Sequence, residues 1–159
     1  MRTEQSSTAS GIASSTWIVL DASVVAKWYL VDEPDRPQAL RVLELIGTGA
    51  VEPATGPRLA LEVGQALVRA IRRGRFADDA IRAALGALDD IDIRGDDRTD
   101  TPVEAAEVAL QAGLSVHDAS YLVVASRLRA PLLTADRRLY DAGLAAGYNV
   151  AWLGDLPLP

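Results

Sequence analysis

The chain has 159 residues, of which 49% are hydrophobic and 24% are charged, the composition of a single globular domain. It contains no cysteine and one histidine, which excludes disulfides, thiolate nucleophiles, cysteine-ligated zinc and paired-histidine chemistry. The formal charge of −6 argues against a protein that coats nucleic acid without sequence preference, but carboxylate sites for hard cations remain open.

Residues 1–16 differ in composition from the rest of the chain. The segment MRTEQSSTASGIASST is rich in Ser, Thr and Ala, and it lacks the apolar stretch of roughly 7–15 residues that a signal peptide requires. We interpret it as a flexible tail or a misplaced start, followed by one domain over residues 17–159. No uncharged apolar run reaches the roughly 18 residues that span a bilayer, so we expect a soluble, cytoplasmic protein without membrane contact.

Strand-like and helical segments alternate along the domain. In chain order we predict strand 17–21, helices 22–30 and 35–49, strand 50–53, helices 57–74 and 76–90, strand 91–93, helices 101–114 and 115–130, strand 130–135, helix 136–147 and strand 148–154. Pro57 suits the first turn of its helix, and Gly74 suits its end. The acidic segment 89–100 is predicted to be a surface loop. This alternation indicates an α/β fold with a parallel sheet covered by helices on both faces.

Two aspartates lie where predicted strands end and helices begin. Asp21 directly follows the apolar run 17–20, and Asp136 follows the strand sequence PLLT by two residues. In open α/β sheets ligands bind outside the carboxyl ends of the strands, so both side chains belong to the ligand-binding edge. Asp is also a favoured helix N-cap, and each residue taken singly fits that structural role better than a catalytic one.

Two further acids lie close to predicted buried helix faces. Glu62 borders an apolar stripe of helix 57–74, made of Leu59, Val63, Ala66, Ala70 and Ile71. A buried, unpaired carboxylate is costly, so Glu62 requires a cation nearby, either an arginine or a metal ion. Asp118 fits a capping box with Ser115, yet it shares a helix face with Leu122 and Ala125 that directs it inward. Both acids therefore have a structural and a functional interpretation.

Three segments of the chain carry a family resemblance. The sequences VLDASVVAKW, LALEVGQAL and LSVHDASYLVVASRLRAPLLTADRRL occur in this order at domain-scale spacing. They resemble the PIN-domain ribonucleases, specifically the VapC-type toxins of bacterial toxin–antitoxin pairs. The resemblance covers residues 17–152 and implies a PIN-like, three-layer α/β/α sandwich with a central parallel sheet.

The resemblance assigns the acids to one metal site. The family's acidic quartet, which binds Mg²⁺ or Mn²⁺, is matched by Asp21, Glu62, Asp118 and Asp136, and its small hydroxyl residues by Ser23 and Thr134. Four carboxylates in one cleft repel each other unless a divalent cation neutralises them, which agrees with this assignment. The implied protein is a metal-dependent endoribonuclease that cleaves RNA, forms a homodimer and is blocked by a VapB-type antitoxin.

Four other positions bear on substrate preference and on partners. Gln65 stands where many relatives carry Asn, and His117 stands where Tyr is common before the third acid. Neither departure removes a carboxylate, so both concern substrate preference rather than metal binding. Leu61 and Val68 lie seven residues apart, away from the apolar stripe of their helix. They indicate either a dimer surface or, as the preferred interpretation, packing against another helix.

Two classes of alternative function remain. A non-catalytic PIN-like interaction module would share the sequence pattern without cleaving RNA. A phosphotransfer protein, either a receiver domain or a haloacid-dehalogenase-type phosphatase, also places an Asp at a strand end. However, the phosphatase pattern requires a second acid where Ser23 stands, and a receiver requires a lysine after a late strand, whereas the only lysine is Lys27.

Overall fold

The computed structural model describes residues 17–158 of the chain, so the prediction for residues 1–16 lies outside it. Four parallel strands form the sheet: β1 (Trp17–Leu20), β2 (Glu52–Thr55), β3 (Leu132–Thr134) and β4 (Val150–Trp152), in the spatial order β2-β1-β3-β4. The predicted strand at residues 91–93 is wrong. Only Arg94 reaches the sheet there, through an isolated bridge to Ala54, because Gly95 and a run of acids follow and no second pair forms.

Seven α-helices connect and cover the strands within the described residues. They are α1 (Ala22–Ala26), α2 (Arg36–Gly47), α3 (Leu59–Arg72), α4 (Ile81–Asp89), α5 (Thr101–Ala112), α6 (Val116–Leu128) and α7 (Arg137–Ala145), with 3₁₀ turns at Asp78–Ala80 and Leu153–Asp155. The first helix is shorter than predicted, because the amides of residues 27–29 bond three residues back and tighten its end. Pro57 lies in a turn before α3 rather than in its first turn.

Helices pack on both faces of the sheet, which confirms the predicted three-layer α/β/α architecture. Side chains of a strand alternate between faces, so Ile18 and Leu20 contact the core formed with α1, α2, α3 and α4. Val19 points the other way and packs with residues of α6 and α7. Nearly every strand side chain is buried, as expected for a parallel sheet with both faces covered.

One apolar prediction on α3 is wrong. Packing of Leu61 and Val68 against another helix was the preferred interpretation, but Leu61 is 71% exposed and Val68 is only partly buried. The buried positions of α3 are Leu59, Val63, Leu67 and Ala70. Leu67 is therefore buried on α3, whereas Ile71, which the sequence pattern assigned to the apolar stripe, is only partly buried. Leu61 faces outward from the described part of the chain.

No single helix among residues 17–158 is long and apolar enough to cross a membrane. Helices α5 and α6 satisfy the length and hydropathy requirements only when taken together, across a bend of 109°.

The strand order creates a crevice between β1 and β3. The chain leaves β1 toward β2 on one side of the sheet, whereas it leaves β3 toward β4 on the other side. Because these connections diverge, the carboxyl ends of β1 and β3 border a gap that no crossover covers, the usual ligand site of open α/β sheets. The residues that follow these two strands therefore face one another across the gap.

Candidate active site

Asp21 ends β1 and begins α1 at this crevice. Its backbone is extended (φ −90°, ψ 168°), and its Oδ1 accepts hydrogen bonds from the amides of Ser23 at 3.0 Å and Val24 at 3.2 Å. The predicted N-cap is therefore confirmed. The residue is only 3% exposed, and this burial raises the pKa of Asp21 to about 6, against the lowering effect of its hydrogen bonds.

Two hydroxyl groups hold the Asp21 carboxylate against the end of β3. Ser23 Oγ donates to Asp21 Oδ1 at 2.5 Å and accepts from the amide of Ala135 at 2.9 Å. Thr134 Oγ1 donates to Asp21 Oδ2 at 2.6 Å and accepts from the amide of Asp136 at 2.9 Å. An ionised carboxylate only accepts hydrogen bonds, so each hydroxyl donates its single proton to Asp21 and accepts from an amide through a lone pair. The two hydroxyls thus fix the orientation of Asp21 across the crevice.

Asp136 begins α7 on the β3 side of the crevice. Its Oδ1 accepts from the amides of Arg138 at 2.9 Å and Leu139 at 3.2 Å, which confirms its predicted N-cap. Oδ2 makes no hydrogen bond within the described residues, and the residue is exposed. Asp136 also contributes to raising the pKa of Asp21 after the dominant effect of burial, so the two carboxylates repel each other.

Glu62 and Asp118 approach the crevice from helices α3 and α6. Burial raises the pKa of the half-buried Glu62, and the Asp118 carboxylate adds to this effect. Ser115 caps α6 as predicted, since its Oγ accepts from the Asp118 amide at 3.1 Å. The Asp118 carboxylate differs from the predicted capping box, because Oδ2 accepts from the Ser115 hydroxyl at 2.8 Å rather than from its backbone.

Tyr121 lies between these acids. It is 1% exposed, and its hydroxyl oxygen makes no hydrogen bond of standard geometry. Burial raises the pKa of Tyr121, and the carboxylates of Glu62 and Asp21 raise it further, so the phenol stays protonated. A neutral hydroxyl here provides a proton donor directed toward the acids. The sequence offered a signal for it, because Tyr121 follows Asp118 by three residues on the same helix face.

The four predicted acids line one cleft. The cleft measures about 420 Å³, and its walls include Asp21, Glu62, Asp118 and Asp136. None of the four forms an ion pair with a Lys or Arg among residues 17–158. No arginine forms an ion pair with Glu62 in this part of the chain, but the charges of His117 and Arg58 lower the pKa of Glu62 against the larger effect of burial. His117 is exposed and does not line the cleft.

The donor atoms of the cleft fit a hard divalent cation. Carboxylate oxygens are the ligands that Mg²⁺ and Mn²⁺ prefer, and within residues 17–158 no Lys or Arg forms an ion pair with these carboxylates. Within residues 17–158, no three His, Asp or Glu side chains already stand close enough to form a metal-binding group. Mg²⁺ keeps several waters and binds one or two carboxylates directly, so such a group is not required for it.

The sequence explained the arginines of RAIRRGR mainly as helix-end charges, with binding of a polyanion as a second possibility, and did not place them in the cleft. Lys27, Arg69, Arg73 and Arg75 line the same walls as the acids. Arg69 lies on α3 seven residues after Glu62, and Arg73 directly follows the last residue of α3, eleven residues after Glu62. This spacing keeps both near one side of the helix and could have indicated a shared surface. Lys27 is the only lysine of the chain. The cleft therefore has an acidic end at the sheet and a basic end along α3.

Comparison with known proteins identifies the fold family. The PIN-domain family model matches residues 18–144, a range that contains all four acids. The chain belongs to the PIN-domain family. Ribonuclease VapC3 of Pyrobaculum aerophilum is 31% identical to this PIN domain over 126 residues, which are 78% of this chain and 92% of that protein. The VapC-type resemblance of the sequence is thereby confirmed, and the receiver and phosphatase alternatives are removed.

Solved structures agree on the fold of this PIN domain. A crystal structure of a Pyrobaculum aerophilum protein aligns with this chain over 82% of this chain and 87% of that protein's chain, with a TM-score of 0.60 and 24% identity. VapC20 of Mycobacterium tuberculosis, a sarcin–ricin loop cleaving toxin, matches 82% and 95%, with a TM-score of 0.60 and 19% identity. VapBC-1 of nontypeable Haemophilus influenzae matches 86% and 96%, with a TM-score of 0.51 and 16% identity.

Proposed function

We propose that this PIN domain is a metal-dependent endoribonuclease that hydrolyses RNA phosphodiester bonds. The observation that carries the proposal is the convergence of four carboxylates on one cleft, at the crevice between β1 and β3, with no ion-pair partner among residues 17–158. A fold that keeps buried, mutually repelling carboxylates is less stable than one that pairs them, so a cation-dependent role explains their presence. The name of the 31% identical relative, Ribonuclease VapC3, supports RNA as the substrate.

The carboxylates divide into two roles in this proposal. Asp21, Asp118 and Glu62 hold the principal Mg²⁺ or Mn²⁺ ion, directly or through water, and Asp136 supports a second ion or positions water. A bound divalent ion supplies an activated water and stabilises negative charge on the phosphate. The site's own rigidity comes from Ser23 and Thr134, whose hydroxyls fix the Asp21 oxygens.

The protonation states suit neutral pH. The pKa of Asp21 is raised to about 6 by burial, so its carboxylate is mostly ionised at pH 7 and above, and a bound cation favours the ionised form further. Tyr121, whose pKa is raised, remains a neutral hydroxyl near Glu62 and Asp21 and is able to donate a hydrogen bond. Because protons and the cation compete for Asp21, we expect cleavage to decline with falling pH, and the decline to move to lower pH as Mg²⁺ is raised.

The direct test is incubation of the purified protein with total RNA, in Mg²⁺ or in excess EDTA, followed by mapping of the cut ends. We expect discrete cuts in Mg²⁺, none in EDTA, and weaker cleavage as salt is added, since substrate phosphates must be held electrostatically. Undiminished cleavage in EDTA would contradict metal dependence. Intact RNA under every condition, with a folded protein, would favour the non-catalytic interaction module instead.

We extend the proposal to the cellular role. The protein acts in the cytoplasm as the toxin of a toxin–antitoxin pair, as a homodimer that a VapB-type antitoxin inhibits. The VapBC-1 structure from Haemophilus influenzae supports such a partner, and the outward-facing Leu61 on α3 is available for a subunit contact. Expression of the chain alone should slow growth, and the product of the adjacent upstream gene should restore it. Harmless overexpression of soluble, folded protein would contradict this role.

A further inference from the structure

Four cations line the same cleft as the acids: Lys27, Arg69, Arg73 and Arg75. From these cations we infer that Lys27, Arg69 and Arg73 bind consecutive backbone phosphates of the RNA strand, which runs from the sheet edge along α3 toward the helix C-terminus. This inference rests on the proposed function and adds the direction in which the substrate leaves the site. We do not assign a phosphate to the neighbouring Arg75, because its guanidinium already binds two carboxylates.

Lys27 is a buried ammonium group that keeps unused hydrogen-bond donors. Its side chain is 8% exposed and lines the cleft, and its only hydrogen-bond partner among residues 17–158 is Glu33, at 3.3 Å from Nζ. That distance is long for a charge-assisted hydrogen bond, which is usually about 2.7–2.9 Å. An ammonium has three donors, so two remain unpartnered among the described residues. Six residues of chain separate it from Asp21, about 9 Å at the rise of a helix.

Arg69, on α3, and Arg73, directly after its last residue, are the other two cations. Both are exposed, both line the cleft, and neither forms an ion pair within residues 17–158. Arg69 stands about 10 Å along the helix from Glu62, and Arg73 about 6 Å beyond it, at 1.5 Å per residue. Two unpaired guanidinium groups spaced by one helical turn provide successive positions for negative charges.

Arg75 lines the same cleft, but its guanidinium is already bound by carboxylates. It binds Asp32 through Nε at 2.6 Å and Nη2 at 2.8 Å, and Nη2 also donates to Glu33 at 2.5 Å. These contacts raise the pKa of Arg75 and leave it neutralised by two carboxylates. Glu33 thus satisfies Arg75 first and holds Lys27 only loosely. Arg75 anchors the loop that contains Glu33, while Lys27 keeps donors available for another anion.

An RNA strand fits this surface better than an acidic peptide does. The RNA backbone carries a phosphate at every nucleotide, and the strand must pass the acids in order to be cut. Arg69 and Arg73 line the same cleft as those acids. Arginines near a helix C-terminus also interact favourably with the helix dipole, but Arg72 shares that role and does not line the cleft. Arg72 is therefore the matched control.

The test is the salt dependence of kcat/KM for RNA cleavage in Mg²⁺. Each lost phosphate contact should reduce the slope of log(kcat/KM) against log[KCl] by about 0.7, the value for single strands. We expect this reduction in Arg69→Gln and in Arg73→Gln, with kcat/KM about 2- to 5-fold lower at moderate salt. Arg72→Gln removes the same charge from the same helix outside the cleft, and its slope should match wild type.

Two substitutions separate charge from packing at Lys27. Lys27→Met keeps the apolar stem and removes the ammonium, so we expect the slope to fall by about 0.7 and kcat/KM by about 10-fold or more. Lys27→Arg retains the charge and should recover the wild-type slope. Thermal unfolding of each variant identifies folded samples. A purely structural role for Lys27 would change stability and leave the slope as in wild type.

The outcomes separate this inference from the proposed function. If wild-type protein does not cleave RNA in Mg²⁺, the proposed function itself is wrong. If wild type cleaves, but the Arg69, Arg73 and Lys27 variants keep its salt slope, these cations do not bind the RNA phosphates. They would then bind another ligand, such as an acidic peptide. Equal slope reductions in Arg72→Gln would also overturn it, because the effect would then reflect net charge alone.

Discussion

The molecule contains two groups of carboxylates in opposite electrostatic surroundings. At the start of α5, Asp100 accepts from Arg98 at 3.0 and 2.7 Å and from Arg127 at 3.1 Å, and these contacts lower the pKa of Asp100 to about 2. At the carboxyl edge of the sheet, Asp21 is buried without an ion-pair partner among the described residues, and its pKa is raised to about 6. Glu62, near Asp21, also has a raised pKa.

The difference separates structural charge from functional charge. Exposed pairs such as Arg98 and Asp100 satisfy each other and require nothing further from the molecule. The crevice acids reduce the stability of the metal-free protein, because the native state must hold them close together and partly out of water. Acids with raised pKa values at the ligand-binding edge of an α/β sheet are candidates for a functional site, whereas paired acids elsewhere are not.

The largest expected effect is on cleavage. Asp21→Asn keeps the helix cap, since Asn caps as well as Asp, but it removes a charge that holds the proposed cation. We expect RNA cleavage in Mg²⁺ to fall by about 100-fold or more, the range seen when a key electrostatic group is removed. Asp100→Asn removes the same charge from the paired group and should leave cleavage near the wild-type rate. A similar loss in both variants would remove the distinction between the two groups.

The next effect concerns stability and pH in the metal-free protein. The raised pKa of Asp21, about 6 against 3.8 in the unfolded chain, means that the native state binds more protons between these values. The free energy of unfolding should therefore rise as the pH falls through 6 and reach its full gain below 3.8. From pH 7.5 to pH 4 we expect this gain to be about 1–3 kcal/mol.

Urea unfolding in EDTA across this pH range measures the effect as a difference between wild type and Asp21→Asn. The variant should be the more stable protein at pH 7.5, and the difference should vanish near pH 4. Asp100 has a lowered pKa, so its contribution is present above about 4 and is lost as the pH falls toward 2. A difference between wild type and Asp21→Asn that is constant with pH would show that Asp21 titrates normally.

Local signals in the sequence predicted the parts of this site that depend on local geometry. An Asp at the end of a predicted strand predicted both N-caps. Because ligands bind at the carboxyl ends of parallel strands, the same positions predicted that Asp21 and Asp136 lie at one edge of the sheet. The alternation of strands and helices gave the three layers. Strand 91–93 failed because a three-residue apolar alternation does not reveal whether an edge partner is available, and β2 accepts only Arg94 there.

The remaining parts depend on packing between distant segments. Glu62 and Asp118 meet because α3 and α6 approach the same crevice, a contact that the family resemblance implied and local pattern left open. The hydroxyl of Thr134 is directed to Asp21, 113 residues earlier in the chain, which no local rule predicts. The burial of Lys27 could likewise not be predicted from the sequence, since a lysine near a helix end usually faces water.

A smaller effect concerns stabilisation by Mg²⁺. At about a hundred times its dissociation constant, Mg²⁺ should stabilise wild type by about 2.7 kcal/mol. Asp136→Asn keeps the cap of α7 and should lose part of this gain in thermal unfolding with and without Mg²⁺, because the principal ion keeps its other ligands. Asp141→Asn, an exposed change on the same helix outside the cleft, should keep it. If Asp136→Asn retains both the Mg²⁺ shift and wild-type cleavage, Asp136 is only a helix cap.

The smallest expected effect tests the hydroxyl network that distinguishes the crevice acids from the surface pairs. Thr134 is fully buried, donates to Asp21 and accepts from the Asp136 amide. Thr134→Val keeps the shape of the side chain, removes both hydrogen bonds and should destabilise the protein by about 1–2 kcal/mol. Because this hydrogen bond lowers the pKa of Asp21, its loss should raise that pKa. The contribution of Asp21 to stability is measured as the difference in free energy of unfolding between Thr134→Val and Thr134→Val/Asp21→Asn. Its pH midpoint should lie higher than in the wild-type background.

Thr134→Ser is the matched control, since it restores the hydroxyl and loses only a buried methyl group. We expect Ser to recover the wild-type pH midpoint of Asp21 and most of the cleavage rate, while Val recovers neither. The comparison uses urea unfolding in EDTA for the pH midpoint and RNA cleavage in Mg²⁺ on the same samples. If Val and Ser give the same midpoint and the same cleavage rate, the hydroxyl does not orient Asp21. The rigidity of the site would then come from the helix cap alone, through the amides of Ser23 and Val24.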